Sequence, residues 1–187
     1  MAQGSERWEI LEDRQIAEYP IFSVRQRLSR GPHGKSGRFV ALDAPDWAVV
    51  VPVLETGGLR SLLMVRQYRH GSDTVCREFP GGVVEPGEDT AAAAARELLE
   101  ETGYRAGRIE LAGSCWPNPA FMRNRFHVFV ATALVKENEQ SQDEHELIDV
   151  EPVAEQLALA SMGKAGWDHA LMTTAAWYYV RWRESRS

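Results

Sequence analysis

Cysteine is scarce: Cys76 and Cys115 are the only two in 187 residues, too few for a disulfide framework and without the paired spacing of a metal knuckle. A reducing compartment is the expectation. No apolar run approaches the roughly 18 residues of a membrane span, and Met1 to Ile10 lack the apolar stretch of a signal peptide, so a soluble, cytoplasmic chain is expected. Positive charge is also short. With 21 Lys and Arg against 27 Asp and Glu, the formal charge of -6 offers no general footprint for polyanions, so neither nucleic acid nor a membrane is an expected partner. Internal repeats are absent. What is present is a 44% apolar share with six Trp, six Phe and five Tyr, enough for a single sizeable core.

Residues 1–45 hold two strand-like runs, Ile21 to Gln26 and Arg38 to Leu42, around the turn-rich stretch from Gly31 to Gly37. A hairpin of this kind is marginal by itself in water, so an N-terminal β arm packed on the chain or on a second copy is expected. A domain of residues 46–187 follows. Trp47 to Leu54 and Ser61 to Gln67 read as central strands, Ile109 to Trp116 and Phe126 to Val135 as further strands. Val153 to Met162 and His169 to Glu184 read as closing helices, and the acidic stretch Glu137 to Glu146 as a loop. The order points to an α/β (α+β) sandwich around a mixed, partly antiparallel sheet.

The strongest helix signal covers Asp89 to Thr102: Asp89 or Thr90 as N-cap, five consecutive alanines, and Gly103 as the stop. On it Glu97, Glu100 and Glu101 stand at i, i+3 and i+4 and share one face. Ala91, Ala94, Ala95, Leu98 and Leu99 share another arc, which predicts an apolar side to bury and an acidic side to present. Three like charges this close repel unless compensated. Clustered carboxylate oxygens suit a hard divalent ion, Mg²⁺ or Mn²⁺. The preceding Gly and Pro residues from Pro80 to Gly87 mark tight backbone where a ligand can approach.

Read in line, the segment runs Gly82, five residues, Glu88, seven residues, Arg96-Glu97-Leu98, one residue, Glu100-Glu101, one residue, Gly103-Tyr104. This resembles the Nudix box of the nucleotide-pyrophosphate hydrolases. Seven specified identities at about 6% usage each give a chance match on the order of 10⁻⁹ to 10⁻⁸ per starting position. The resemblance implies a Nudix-type α/β/α sandwich and a pyrophosphohydrolase activity. It implies Glu97 and Glu101 as direct metal ligands, the Gly81 carbonyl as a backbone ligand, Glu88 as a carboxylate linked to the metal through water, Glu100 as a further box glutamate, and Arg96 as the residue that orients them. Tyr104 stands where the family more often has an aliphatic residue.

Outside the box, Val65-Arg66-Gln67-Tyr68-Arg69 and Arg77-Glu78-Phe79-Pro80-Gly81-Gly82 resemble the ADP-ribose and nucleoside diphosphate sugar pyrophosphatases of that family, and Pro119 falls where they carry a proline. The neighbours here are Asn118 and Ala120 rather than the commoner Ser and Gly. The implied substrate is ADP-ribose or a related nucleoside diphosphate sugar, cleaved to a nucleoside monophosphate and a sugar phosphate. The alternatives are another nucleotide pyrophosphate (a dinucleoside polyphosphate, a triphosphate or a dinucleotide cofactor) and a non-catalytic nucleotide-binding regulator. Glu144-His145-Glu146-Leu147-Ile148 is similar to the subgroup's base-bearing segment, with Glu144 the candidate base, Glu146 the alternate and a metal contact, and His145 a third choice. Arg69 resembles a phosphate-contacting position. Phe22 and Arg27 on the arm are candidates to touch a base across a homodimer.

Overall fold

The computed structural model describes residues 7–137 and 147–186 and divides into two units. The first comprises residues 1–45 with 116–125, the second residues 46–115 with 126–187.

In the first unit β1 (Glu9–Tyr19), β2 (Phe22–Arg30) and β3 (Ser36–Asp43) form an antiparallel sheet in the order β1-β2-β3. The sequence predicts only the second and third strands. β1 escapes prediction because its residues are mostly exposed and its apolar residues, Ile10, Leu11, Ile16 and Tyr19, do not alternate with its charged ones. Ion pairs across the ladder hold it instead: Asp13 accepts from Arg25 Nε at 2.7 Å and from Arg27 Nε at 2.9 Å. The 116–125 segment lies along β3, with the Leu42 N–H donating to Phe121 O and the Arg123 N–H to Leu42 O.

The second unit is built on a sheet in the order β10-β5-β4-β9-β8, from β4 (Trp47–Thr56), β5 (Leu59–Arg69), β8 (Tyr104–Cys115), β9 (Phe126–Lys136) and β10 (Ile148–Ala154). Two short strands, β6 (Thr74–Glu78) and β7 (Gly81–Val83), pair with β5 and β4. β4 runs parallel to β9, and every other pairing is antiparallel. Alternation on β4 sends Ala48 and Val50 to one face and Val49 and Val51 to the other, all almost fully buried, so the strand reads as a continuous apolar run. Helix α1 (Thr90–Thr102) covers the first face through Ala93, Ala94 and Leu98. Helices α2 (Glu155–Ser161) and α3 (Ala170–Glu184) cover the second through Ala158, Met172, Ala175 and Tyr179. This is the mixed α/β/α sandwich the sequence predicts. The expected helix from Val153 begins two residues later, because Val153 and Ala154 close the ladder of β10 against β5.

Candidate active site

Helix α1 carries most of the site and is closed at both ends by its own sequence. The Asp89 carboxylate accepts from the Ala91 and Ala92 N–H groups, and Gly103 adopts φ 70°, a left-handed turn that suits glycine, while its N–H caps Leu99 O. The buried face differs from the one expected. Ala93, Ala94, Leu98, Glu101 and Thr102 are buried, whereas Ala95 is exposed and Ala91 and Leu99 are half-buried. The helix is rotated so that its glutamates lie along the protein body rather than opposite it. The reason is polar: Glu101, 6% exposed, accepts the Gly81 N–H at 3.0 Å, so β7 draws the acid inward.

Both glycines of β7 are there for close approach. A Cβ on Gly81 would stand 2.5 Å from Ala48 O, and one on Gly82 would stand 2.4 Å from Glu97 Oε1. The backbone of β7 and the Glu97 and Glu101 carboxylates thus form one wall of a cradle that any side chain at Gly82 would fill.

Arg96 organises the acids. Its Nε and Nη2 donate to the two oxygens of Glu88 at 3.0 Å each, and its Nη1 donates to Glu97 at 2.8 Å and Glu100 at 3.1 Å. Nη2 also donates to Val83 O at 3.1 Å, tying the helix to β7. One planar fork therefore fixes three carboxylates and a strand end, an arrangement that a point-charge ammonium could not make. Arg96 is held protonated above the ordinary arginine value, first by Glu88 and then by Glu97 and Glu100. Glu88 is held below the usual carboxylate range by Arg96 and then by the Glu85 N–H.

Arg69 on β5 meets Glu78 on β6 in a two-pronged pair, Nε to Oε1 at 2.7 Å and Nη2 to Oε2 at 2.6 Å. Glu78 is 2% exposed while the arginine side chain reaches solvent. The pair raises Arg69 above its ordinary value, and the Glu101 charge adds to that.

The candidate residues Gly81, Glu88, Arg96, Glu97, Glu100 and Glu101 are thus gathered, while Arg69 pairs with Glu78 and feels the Glu101 charge. Phe22, packed at 5.3 Å on Tyr19, and Arg27, paired with Asp13, belong to the first unit. Pro119 belongs there too, beside Asn118, whose side chain accepts the Ala120 N–H. Glu144, His145 and Glu146 lie outside the described residues. Two features were not read from the sequence: the role of Glu78 as the buried anchor of Arg69, and a hydrogen-bonded trio of Ser114, His127 and Asp46. A lone histidine in the otherwise apolar run Phe126 to Ala131 was the available signal for the second.

The donor chemistry fits a hard divalent cation. Three carboxylates share one arginine and Glu101 adds a fourth on the Gly81 N–H, which leaves a negative excess, and the cradle beside Gly82 places hard oxygen donors against backbone. Among the described residues no three His, Cys, Asp or Glu side chains stand at metal-ligating spacing, because Arg96 occupies the ground between Glu88, Glu97 and Glu100. Glu97 and Glu101 are the two that would hold the ion.

Comparison with known proteins points the same way. The NUDIX domain family model matches residues 44–173. An ADP-ribose pyrophosphatase of Bacillus subtilis (strain 168) is 32% identical over 155 residues, 80% of this chain and 82% of that protein. A methanol dehydrogenase activator of Bacillus methanolicus is 33% identical over 147 residues, 75% of this chain and 78% of that one. A crystal structure of an ADP compounds hydrolase superposes with a TM-score of 0.86 at 20% identity, covering 100% of this chain and 99% of the other, which shows the shared fold.

Proposed function

The chain belongs to the Nudix family, and from that premise we propose that it hydrolyses the diphosphate linkage of ADP-ribose or a related nucleoside diphosphate sugar. Water adds to one phosphorus, the bridging P–O bond breaks, and a nucleoside monophosphate and a sugar phosphate leave. The observation that carries this reading is the Glu97–Glu101 edge against Gly81 and Gly82, held in register by Arg96. A bound Mg²⁺ or Mn²⁺ would neutralise phosphate charge and acidify water at that edge. The remaining work belongs to the chain. Arg96 orients Glu97 and Glu100, Glu88 anchors Arg96, and Gly81 fixes Glu101. Arg69, preset by Glu78, is the proposed contact to a phosphate oxygen. Glu144 is the proposed base, with Glu146 and His145 the alternates.

The arm supports a homodimer, in which Phe22, Arg27 and Pro119 contribute to nucleoside recognition. Trp8, Ile10, Leu11, Ile16 and Tyr19 leave large apolar surface on β1 and its approach exposed, more than a solitary sheet edge tolerates comfortably. Among the described residues no helix is long and apolar enough to cross a membrane. A cytoplasmic location is proposed.

A second reading, a regulator of another enzyme, draws on the relative named methanol dehydrogenase activator. The retained glutamates favour hydrolysis. Chromatography of products from ADP-ribose, other nucleoside diphosphate sugars, dinucleoside polyphosphates, dinucleotide cofactors and triphosphates decides the matter. Monophosphate plus sugar phosphate from the first two groups is the expected result. Turnover of triphosphates alone, or of nothing, contradicts the proposal.

A further inference from the structure

Ser114 on β8, His127 on β9 and Asp46 at the entry to β4 form a continuous hydrogen-bonded line. Ser114 Oγ lies 2.8 Å from His127 Nδ1, and His127 Nε2 lies 3.2 Å from Asp46 Oδ2. An ionised carboxylate can only accept, so the Nε2 position carries the proton when the imidazole is neutral, and Nδ1 is left to accept from the serine hydroxyl. The residue types are those of a hydrolytic triad. Their setting is different: Ser114 and His127 are direct partners in the β8–β9 ladder, and His127 pairs with Ala48, which pairs with Gly82.

The line does not stop at Asp46. The Asp46 carbonyl accepts the Val84 N–H at 2.9 Å, and the adjoining Val83 carbonyl accepts from Arg96 Nη2 at 3.1 Å. Hydrogen bonds, joined covalently through Asp46 and the Val83–Val84 peptide, therefore connect β8, β9 and the start of β4 to the guanidinium that holds Glu88, Glu97 and Glu100. The histidine side chain is only 16% exposed, so its ring is held by these partners more than by solvent.

We propose that His127 is a positioning residue for the hydrolytic site: held by Asp46 in the Nε2-protonated tautomer and steadied at Nδ1 by Ser114, it fixes Asp46 in turn, hence the Val83–Val84 exit of β7, hence Arg96 and the Glu97 carboxylate. The inference rests on the Nudix reading of that carboxylate edge. It predicts that the effect of His127 on cation binding is transmitted through Arg96. Residues one step removed from metal ligands commonly contribute 10–100-fold to metal affinity or activity.

The test is a double-variant cycle on Mn²⁺ affinity, read by electron paramagnetic resonance without substrate, so the identity of the nucleotide does not enter. His127→Phe is expected to weaken Mn²⁺ binding about tenfold in the wild-type background and by less than about twofold in the Arg96→Lys background. Thermal melts follow each variant. Should His127→Phe fail to fold, Ser114→Ala and Ser114→Thr take its place: the alanine is expected to weaken binding and the threonine, which keeps the hydroxyl, to restore it. Long-range ¹H–¹⁵N spectra of wild type are expected to show a single His127 tautomer protonated at Nε2, mixing in Asp46→Ala. Equal losses in both backgrounds, or an Nδ1-protonated ring in wild type, overturn the positioning role alone. A wild-type protein that binds no Mn²⁺ overturns it together with the Nudix reading.

Discussion

The α-carbon of Gly82 lies against the Glu97 carboxylate, so near that an added Cβ would stand 2.4 Å from Oε1 and 2.7 Å from Cδ. The atoms in the way are the end of a side chain, not backbone. Gly82→Ala is therefore expected to push the carboxylate out of the Arg96 fork while the sheet and helix stay folded. Turnover falls at least about tenfold with the melting temperature nearly unchanged, which steady-state assays paired with thermal melts measure.

Arg96 makes five hydrogen bonds with one planar group. Arg96→Lys keeps the charge and loses the fork. An activity loss of roughly 10–100-fold is expected, with weaker cation binding, and a full-activity lysine variant would show that charge alone suffices.

Arg69→Ala leaves Glu78 buried without its cation. The expected loss is about 3 kcal/mol of stability, the low end for a broken buried pair because solvent reaches the arginine. Replacing both, as Arg69→Met with Glu78→Leu, recovers much of the stability but not the activity. Urea titration of the three proteins separates the two effects.

In the arm, Asp13 is held below the ordinary carboxylate value of 3.8, chiefly by the Arg25 hydrogen bond, with burial opposing and Arg27 adding to the pull. A depressed carboxylate stabilises the fold above its unfolded value and loses that contribution as pH falls through its folded value. Wild type and Asp13→Asn are thus expected to differ in melting temperature from pH 5 upward, and the gap is expected to shrink only as pH falls below 3.8 and through the depressed folded value. A gap that stays constant down to pH 2 would show that the pairing contributes nothing.

Helix α1 was legible because local chemistry decides it: an aspartate cap, a run of alanines and a terminal glycine all act within a turn of their own position. The identity of the acidic edge was legible for the same reason, as Glu97, Glu100 and Glu101 are fixed by helical spacing. Which way that edge faces was not. The Gly81 N–H that draws Glu101 inward arrives from a three-residue strand whose glycines read as loop. β1 was hidden because Asp13, Arg25 and Arg27 hold it by charge rather than by apolar alternation. The Ser114–His127–Asp46 line depends on three strands meeting, and no single stretch of sequence contains it.

Divalent cation capture by Glu97 and Glu101 is the proposal on which the hydrolytic reading rests. Mn²⁺ titration by electron paramagnetic resonance of wild type, Glu97→Gln and Glu101→Gln measures it directly. Saturable binding by wild type, weakened at least about tenfold in each variant whose melt remains cooperative, is the predicted result. Binding of equal strength in all three proteins would place the ion elsewhere and contradict it.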